Sequence, residues 1–208
     1  ALTGVPTLIQ EQNVYPGVTN RLLSRLVNHV AVPHKEAARY FPDRARLVVT
    51  GNPVRPEIAA ATKEEAVLRF GADPEKPQVL CVGGSRGAKQ VNEAVLKALP
   101  PLLNEGACEI TWVTGQRYYH QIKEQLENSG IDPGGWGKLR LESYLYDLHL
   151  AYALADLFVG RAGAMTLAEL TLLGIPAVLI PSPNVTHDHQ HYNAGVLEQE
   201  GAAVVSTA

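Results

Sequence analysis

The sequence predicts an α/β protein built on parallel sheets, and three observations carry that expectation. Short apolar runs of strand character alternate along the chain with longer helix-periodic segments. The connecting helices are long enough to cross a sheet face, the βαβ arrangement in which parallel strands are covered on both sides. Two glycine-rich turns, Cys81-Val82-Gly83-Gly84-Ser85-Arg86-Gly87-Ala88 and Val159-Gly160-Arg161-Ala162-Gly163-Ala164-Met165-Thr166, each join the end of a strand to the start of a helix.

Taken in order, Val5–Gln10 reads as a strand, Gly17–Asn28 as a helix, His29–Val32 as a strand, His34–Tyr40 as a helix and Leu47–Thr50 as a strand. A proline-rich stretch, Gly51-Asn52-Pro53-Val54-Arg55-Pro56, then interrupts the rhythm. Proline removes backbone donors and favours an extended preceding residue, so this stretch is expected to separate two sheets, residues 1–54 and 55–208, with Arg55 at the seam. Beyond a helix at Thr62–Phe70, the predicted strands are Gln78–Val82, Glu109–Thr114, Lys138–Glu142, Asp156–Val159, Ala177–Pro181 and Ala202–Val205. The predicted helices between and after them lie near Ala88–Leu103, Tyr118–Asn128, Leu148–Ala155, Met165–Leu173 and Gln190–Glu200. Three strands before the break can hardly close a core, so the first segment is expected to be the remainder of a truncated domain. The last strand lacks a covering helix, which suggests missing residues at that end too.

Composition narrows the function classes. The 208 residues, 46% hydrophobic and 19% charged, suit a soluble globular chain of one to two domains. A net charge of −3 with Lys and Arg scattered argues against an extended nucleic-acid surface. No apolar run approaches the ~20 residues that span a bilayer, and the first residues lack a signal peptide's pattern, so a cytosolic chain is expected. Cys81 and Cys108 have no C-x-x-C spacing and read as buried apolar residues of a reducing compartment.

Both glycine turns have the build of phosphate sites. Free amides and the positive end of a helix dipole point into each, and glycine lets an anion approach the backbone. Glu169, one helical turn beyond Met165, can accept both hydroxyls of a ribose, and the combination suggests a nucleotide. The alternative is that such turns serve chain reversal alone. Neither is G-x-G-x-x-G, and no Lys-Ser/Thr follows Gly-Gly-Ser-Arg-Gly, which disfavours NAD and a cleaved triphosphate.

Four motifs in one order, Gln10-Glu11-Gln12-Asn13-Val14-Tyr15-Pro16-Gly17-Val18-Thr19-Asn20-Arg21, Thr50-Gly51-Asn52-Pro53-Val54-Arg55, Gly83–Ala88 and Arg161–Glu169, resemble the MurG family of cell-wall glycosyltransferases from about Val5 to the end. The resemblance implies a GT-B fold, two Rossmann-like domains across a cleft, here with a truncated N-terminal domain and a nearly complete C-terminal one. It implies inverting transfer of N-acetylglucosamine from UDP-N-acetylglucosamine to the muramyl 4-hydroxyl of lipid I, giving lipid II for peptidoglycan and so serving cell shape and division. By the same likeness Ser85 and the amides of Gly84, Arg86 and Gly87 would hold the diphosphate, and Ala164, Met165 and Thr166 would line the sugar and phosphate. Glu169 would take the ribose, the backbone of Leu145 the uracil edge, Arg55 the nucleotide, Gln190 the sugar hydroxyls, and Asn13 the sugar from across the cleft.

Read without the family, Arg55 is equally a helix cap or a surface ion pair, Asn13 a turn former, Leu145 a core residue and Glu169 a solvated one. His187-Asp188-His189-Gln190-His191 invites a zinc reading through His187 and His191, but Asp188 looks like an N-cap and no D-x-D pair is present; no metal and no cofactor are expected. The family's glycine-rich, histidine-bearing acceptor loop would precede this chain, and with it most of the membrane-docking patch, so the catalytic base is unassigned. The parent enzyme is then expected to be cytoplasmic and peripheral on the inner face of the bacterial plasma membrane, with the fragment binding donor only. Gln10 stands where the family commonly carries His. The rivals are a UDP-N-acetylglucosamine 2-epimerase-like GT-B enzyme and a non-catalytic nucleotide-sugar binding module.

Overall fold

The structure is a computed structural model that describes residues 4–131, 139–182 and 188–206, apart from the side chains of residues 104 and 105. Two all-parallel sheets are present. The first has the order β1-β2-β3, from Leu8–Gln10, His29–Val32 and Leu47–Val49. The second comprises β4 (Gln78–Val82), β5 (Glu109–Val113), β6 (Leu139–Glu142), β7 (Leu157–Gly160), β8 (Ala177–Leu179) and β9 (Ala203–Val205), in the order β6-β5-β4-β7-β8-β9. The order reverses beside β4, so the chain builds outward in both directions from the β4–β7 pair.

The helices are α1 (Val18–Leu23), α2 (Pro56–Ala60), α3 (Lys63–Phe70), α4 (Lys89–Glu105), α5 (Tyr119–Asn128), α6 (Leu148–Leu154), α7 (Ala164–Leu173) and α8 (His189–Gln199). Successive side chains on a strand point to opposite faces, and the larger sheet has a core on each. Leu80 and Phe158 pack with Ile58, Phe70, Tyr152, Leu167, Leu170 and Leu197. Their neighbours Cys81 and Val159 face Val91, Leu99, Trp112, Ile122 and Leu126. The three-stranded sheet has a small core of Val30, Val32, Ala37 and Phe41, while Leu8, Val48 and Val49 stand exposed.

Several expected elements differ in detail. The first helix ends at Leu23 rather than Asn28, because the Asn28 carboxamide accepts from Thr7 N at 2.8 Å and from Thr7 Oγ1 at 3.0 Å instead of continuing a turn. Residues Lys35–Tyr40 form a 3₁₀ helix rather than an α-helix. The proline-rich break contains a short helix that the sequence reading omits: Pro56 is its first residue, where the fixed φ suits a helix and the missing N–H costs nothing. Helix α3 begins with the reciprocal bonds of Thr62 and Glu65 and ends at Gly71 in the left-handed region. The start predicted for β6, Lys138, lies outside the described residues.

Candidate functional site

The pair β4 and β7 places Val82 opposite Gly160, so both glycine turns leave the same carboxyl edge side by side. This is the crevice in which open parallel sheets hold ligands. In the first turn Gly83 N donates to Val113 O at 2.9 Å and Gly87 N to Gly84 O at 2.9 Å. Its crest, Gly84, Ser85 and Arg86, is exposed. Gly87 sits at φ +77°, and a Cβ there would lie 2.5 Å from both the Thr114 carbonyl oxygen and the Tyr118 ring. From the next loop Gly115, at φ +86°, approaches so closely that a Cβ would stand 2.2 Å from Gly87 N. Two glycines from separate loops thereby set the height of the turn over the sheet. No side chain caps the start of α4, so its positive end opens onto the turn.

Helix α7 likewise starts without a side-chain cap, at Gly163. Just before it, Arg161 is half-buried; burial pushes its guanidinium below the ordinary value, and the Tyr118 phenol, within electrostatic range, opposes this. Farther along α7, Thr166 and Glu169 stand near the phenol of Tyr152 on α6. Burial first, then the nearby Glu169 carboxylate, push the Tyr152 phenol far above its ordinary range, against the opposing influence of Thr166 and Arg55. Arg55, Thr166 and Glu169 share one neighbourhood, and Glu169 is half-buried. Arg55 itself is exposed and, although it stands at the start of α2, makes no side-chain cap.

Asn13 belongs to a loop organised by Glu11, which is only 4% exposed. One Glu11 oxygen accepts from Gln12 N and Asn13 N, each at 2.9 Å, and from Asn13 Nδ2 at 3.3 Å. The other accepts from Gly17 N and Asn20 Nδ2, each at 2.9 Å. Burial favours the neutral acid, but the bonds from Asn13, Asn20 and Gly17 outweigh it and hold the carboxyl below its ordinary value. Asn13 is therefore more than a turn former: its Oδ1 accepts from Asn193 Nδ2 of α8 at 3.0 Å. Asn52 makes a second link across the seam, accepting from Gln10 Nε2 at 3.2 Å and donating to Gln12 O at 2.9 Å and Ala164 O at 3.4 Å. Gln10, the departure from the family pattern, is thus linked to the second glycine turn through Asn52.

Gln190 accepts from Ser182 N at 2.8 Å, which fixes its amide at the head of α8. A cleft of about 350 Å³ lies beside it, lined by Glu11, Asn13, Tyr15, Gly17 and His189. Leu145, between the exposed Tyr144 and Tyr146, packs its side chain against the core that holds Ile58, Tyr152 and Ala162. Asp188 does begin α8, in the left-handed region, but its side chain does not cap the helix; it lies 3.7 Å from His191 Nε2 instead. His187 falls outside the described residues, and among those described no group of three or more His, Cys, Asp or Glu could hold a metal. An apolar cavity of about 530 Å³ lies elsewhere, between Pro33–Glu36 and the ends of α7 and α8.

The sequence reading missed Glu11, Asn52, Tyr152 and Asn193. Asn193 had a signal, since it follows Gln190 by three residues on one helix and shares its face. Tyr152 had none, because nothing in an apolar helix says that one phenol comes near a carboxylate from the next.

The family model described as the glycosyltransferase family 28 C-terminal domain matches residues 78–207. The UDP-N-acetylglucosamine–N-acetylmuramyl-(pentapeptide) pyrophosphoryl-undecaprenol N-acetylglucosamine transferase of Moorella thermoacetica is 46% identical over 205 residues, 99% of this chain and 55% of that protein. The enzyme of the same name from Halothermothrix orenii is 44% identical over 207 residues, 99% of this chain and 56% of its own length. The chain thus spans about half the length of the curated relatives it matches. The crystal structure of Acinetobacter baumannii MurG superposes with a TM-score of 0.70 at 30% identity, over 99% of this chain and 54% of that one.

Proposed function

This chain belongs to the glycosyltransferase family 28 C-terminal domain family, and from that premise we propose that it is the donor-binding portion of an enzyme that moves N-acetylglucosamine from UDP-N-acetylglucosamine onto lipid I, giving lipid II. The observation that carries the proposal is the adjacency of two uncapped helix starts, α4 and α7, with the half-buried Glu169 just beyond the second. Two positive helix ends suit a diphosphate, and a carboxylate beside them suits a ribose.

In this reading Gly84, Ser85, Arg86 and Gly87 meet the diphosphate, with Arg55 supplying a further positive charge. Ala164, Met165 and Thr166 line the sugar and phosphate, the Glu169 carboxylate accepts from the ribose hydroxyls, and the Leu145 backbone reads uracil. Gln190 bonds the sugar hydroxyls, and Asn13 approaches the sugar from residues 1–54, taken as the acceptor-side domain beside a donor domain at 55–208. The muramyl 4-hydroxyl attacks the anomeric carbon, the bond to the diphosphate oxygen breaks, and UDP departs with its charge met by helix ends and side chains rather than by a metal at His189 or His191. The attacking oxygen gives up its proton to a base on the acceptor side.

Among the described residues no helix is long and apolar enough to cross a membrane; in this reading the whole enzyme works peripherally on the inner face of the plasma membrane, where it meets its lipid acceptor. Calorimetry tests the donor site: the chain binds UDP and UDP-N-acetylglucosamine. Product assay with a lipid I analogue tests the rest. Orientation of the attacking hydroxyl is worth ~7–11 kcal/mol of a barrier, so a chain spanning half of its relatives should hold donor without transferring sugar. Absence of UDP binding would overturn the proposal, and full turnover would overturn the division of labour.

A further inference from the structure

Helix α8 grips the N-terminal loop at two successive residues. The Tyr192 ring stacks on Tyr15 with centroids 5.1 Å apart, and Tyr15 in turn meets Tyr40 edge-on at 4.8 Å. Asn193, only 4% exposed, uses both ends of its amide. Its Oδ1 accepts from Val14 N at 2.9 Å; its Nδ2 donates to Asn13 Oδ1 at 3.0 Å and to Ala162 O at 3.4 Å. One buried side chain therefore ties a loop of the three-stranded sheet to the second glycine turn, just ahead of α7. The same helix holds Gln190 in place through Ser182.

From this we infer that Asn193 is a positioning residue, which sets Asn13 against the amino end of α7 so that the two halves of the sugar site close at one fixed distance. The inference rests on the donor reading above for the role of Asn13, but the latch itself rests only on the three bonds. The arrangement has a physical reason. A hydrogen-bonding pair confined to the loop leaves the sheets free to slide, whereas an amide that donates to one unit and accepts from it while also holding the other admits a single register. Glu11 makes the loop rigid from within, and Asn193 fixes where that rigid loop sits. Asn193 is saturated by protein groups, so it acts through Asn13 rather than on a ligand.

The test compares the chain with Asn193→Ala, Asn13→Ala and the double variant, by amide hydrogen exchange and by calorimetry with UDP and UDP-N-acetylglucosamine. Asn193→Ala should speed exchange of the Val14 amide about tenfold or more while the β4 and β7 amides keep their protection. UDP affinity should stay within about twofold. The extra affinity contributed by the sugar should fall about fivefold, the worth of one ordinary hydrogen bond. Asn13→Ala should lose the same increment, and the double variant no more, because the two act as one unit. Should Asn193→Ala fail to fold, Asn193→Asp carries the test: it keeps the acceptor for Val14 N and loses the donor to Asn13, so Val14 stays protected while the sugar increment is lost. Unchanged Val14 exchange in Asn193→Ala, an intact sugar increment, or additive losses in the double variant would overturn the inference. If the unmodified chain does not bind UDP, the donor reading fails by itself, and Val14 exchange alone decides the latch.

Discussion

Removing the Glu11 carboxylate should release the loop from Gln12 to Gly17 as a unit. Five hydrogen bonds end on this side chain, three from backbone amides and two from Asn13 and Asn20. Bonds to a charged acceptor are worth ~1.5–3 kcal/mol each, a gross of roughly 7 kcal/mol or more, against which stands the several kcal/mol that a buried carboxylate costs. The net expectation for Glu11→Ala is a loss of about 3 kcal/mol, with three amides left without their acceptor. Glu11→Gln discriminates this account from simple space filling. It preserves volume, but every partner here is a donor, so the new NH₂ must face an N–H, and most of the loss should remain. The pH dependence has a definite sign. The folded pKa lies below the unfolded one, so the contribution is present above about pH 4.5 and disappears as pH falls through the folded value. Urea unfolding and amide exchange at Gln12, Asn13 and Gly17 measure it. A Glu11→Gln chain as stable as the unmodified one, or unaltered exchange at those three amides in Glu11→Ala, would refute the reasoning.

Glu169→Ala should weaken UDP about tenfold or more by calorimetry, since each charge-assisted bond to a ribose hydroxyl is worth ~1.5–3 kcal/mol; unchanged affinity removes Glu169 from the site. Gly115→Ala places a methyl 2.2 Å from Gly87 N and should cost about 2–4 kcal/mol while impairing UDP binding, because the first turn must move. Gly130→Ala, also at positive φ but with nothing within 4 Å, should cost only about 1 kcal/mol, and equal melting shifts for the two would sink the close-approach argument. Burial, with Cys108 adding to it, pushes the Cys81 thiol up to about 12, so at pH 8 a thiol reagent should label it only on unfolding; rapid labelling of folded protein would contradict this.

The chain order of strands and helices follows from local patterns alone. Apolar alternation in Gln78–Val82, glycines at the strand ends and the amphipathic run of α4 all act within a few residues, which is why the parallel α/β class and the two strand-to-helix glycine turns were legible. Boundaries were less so. Asn28 leaves the helical pattern for Thr7, 21 residues away, and Pro56 opens a helix where proline content suggested none. Local propensity cannot weigh a distant partner.

Which turns become neighbours was decided by sheet order. Residues 78–82 and 157–160 are far apart in sequence, and only the pairing of β4 with β7 sets the two helix ends on one edge. The same holds for Asn193 reaching Asn13 across 180 positions, and Tyr152 comes near Glu169 only through the packing of two consecutive helices. Sequence by itself determined that glycine turns stand at strand ends with a carboxylate one helical turn beyond the second, because residue type and local pattern act over a few positions. Tertiary structure alone decided their mutual distances, their burial and the latch between the sheets, because those depend on contacts between elements that local pattern does not pair.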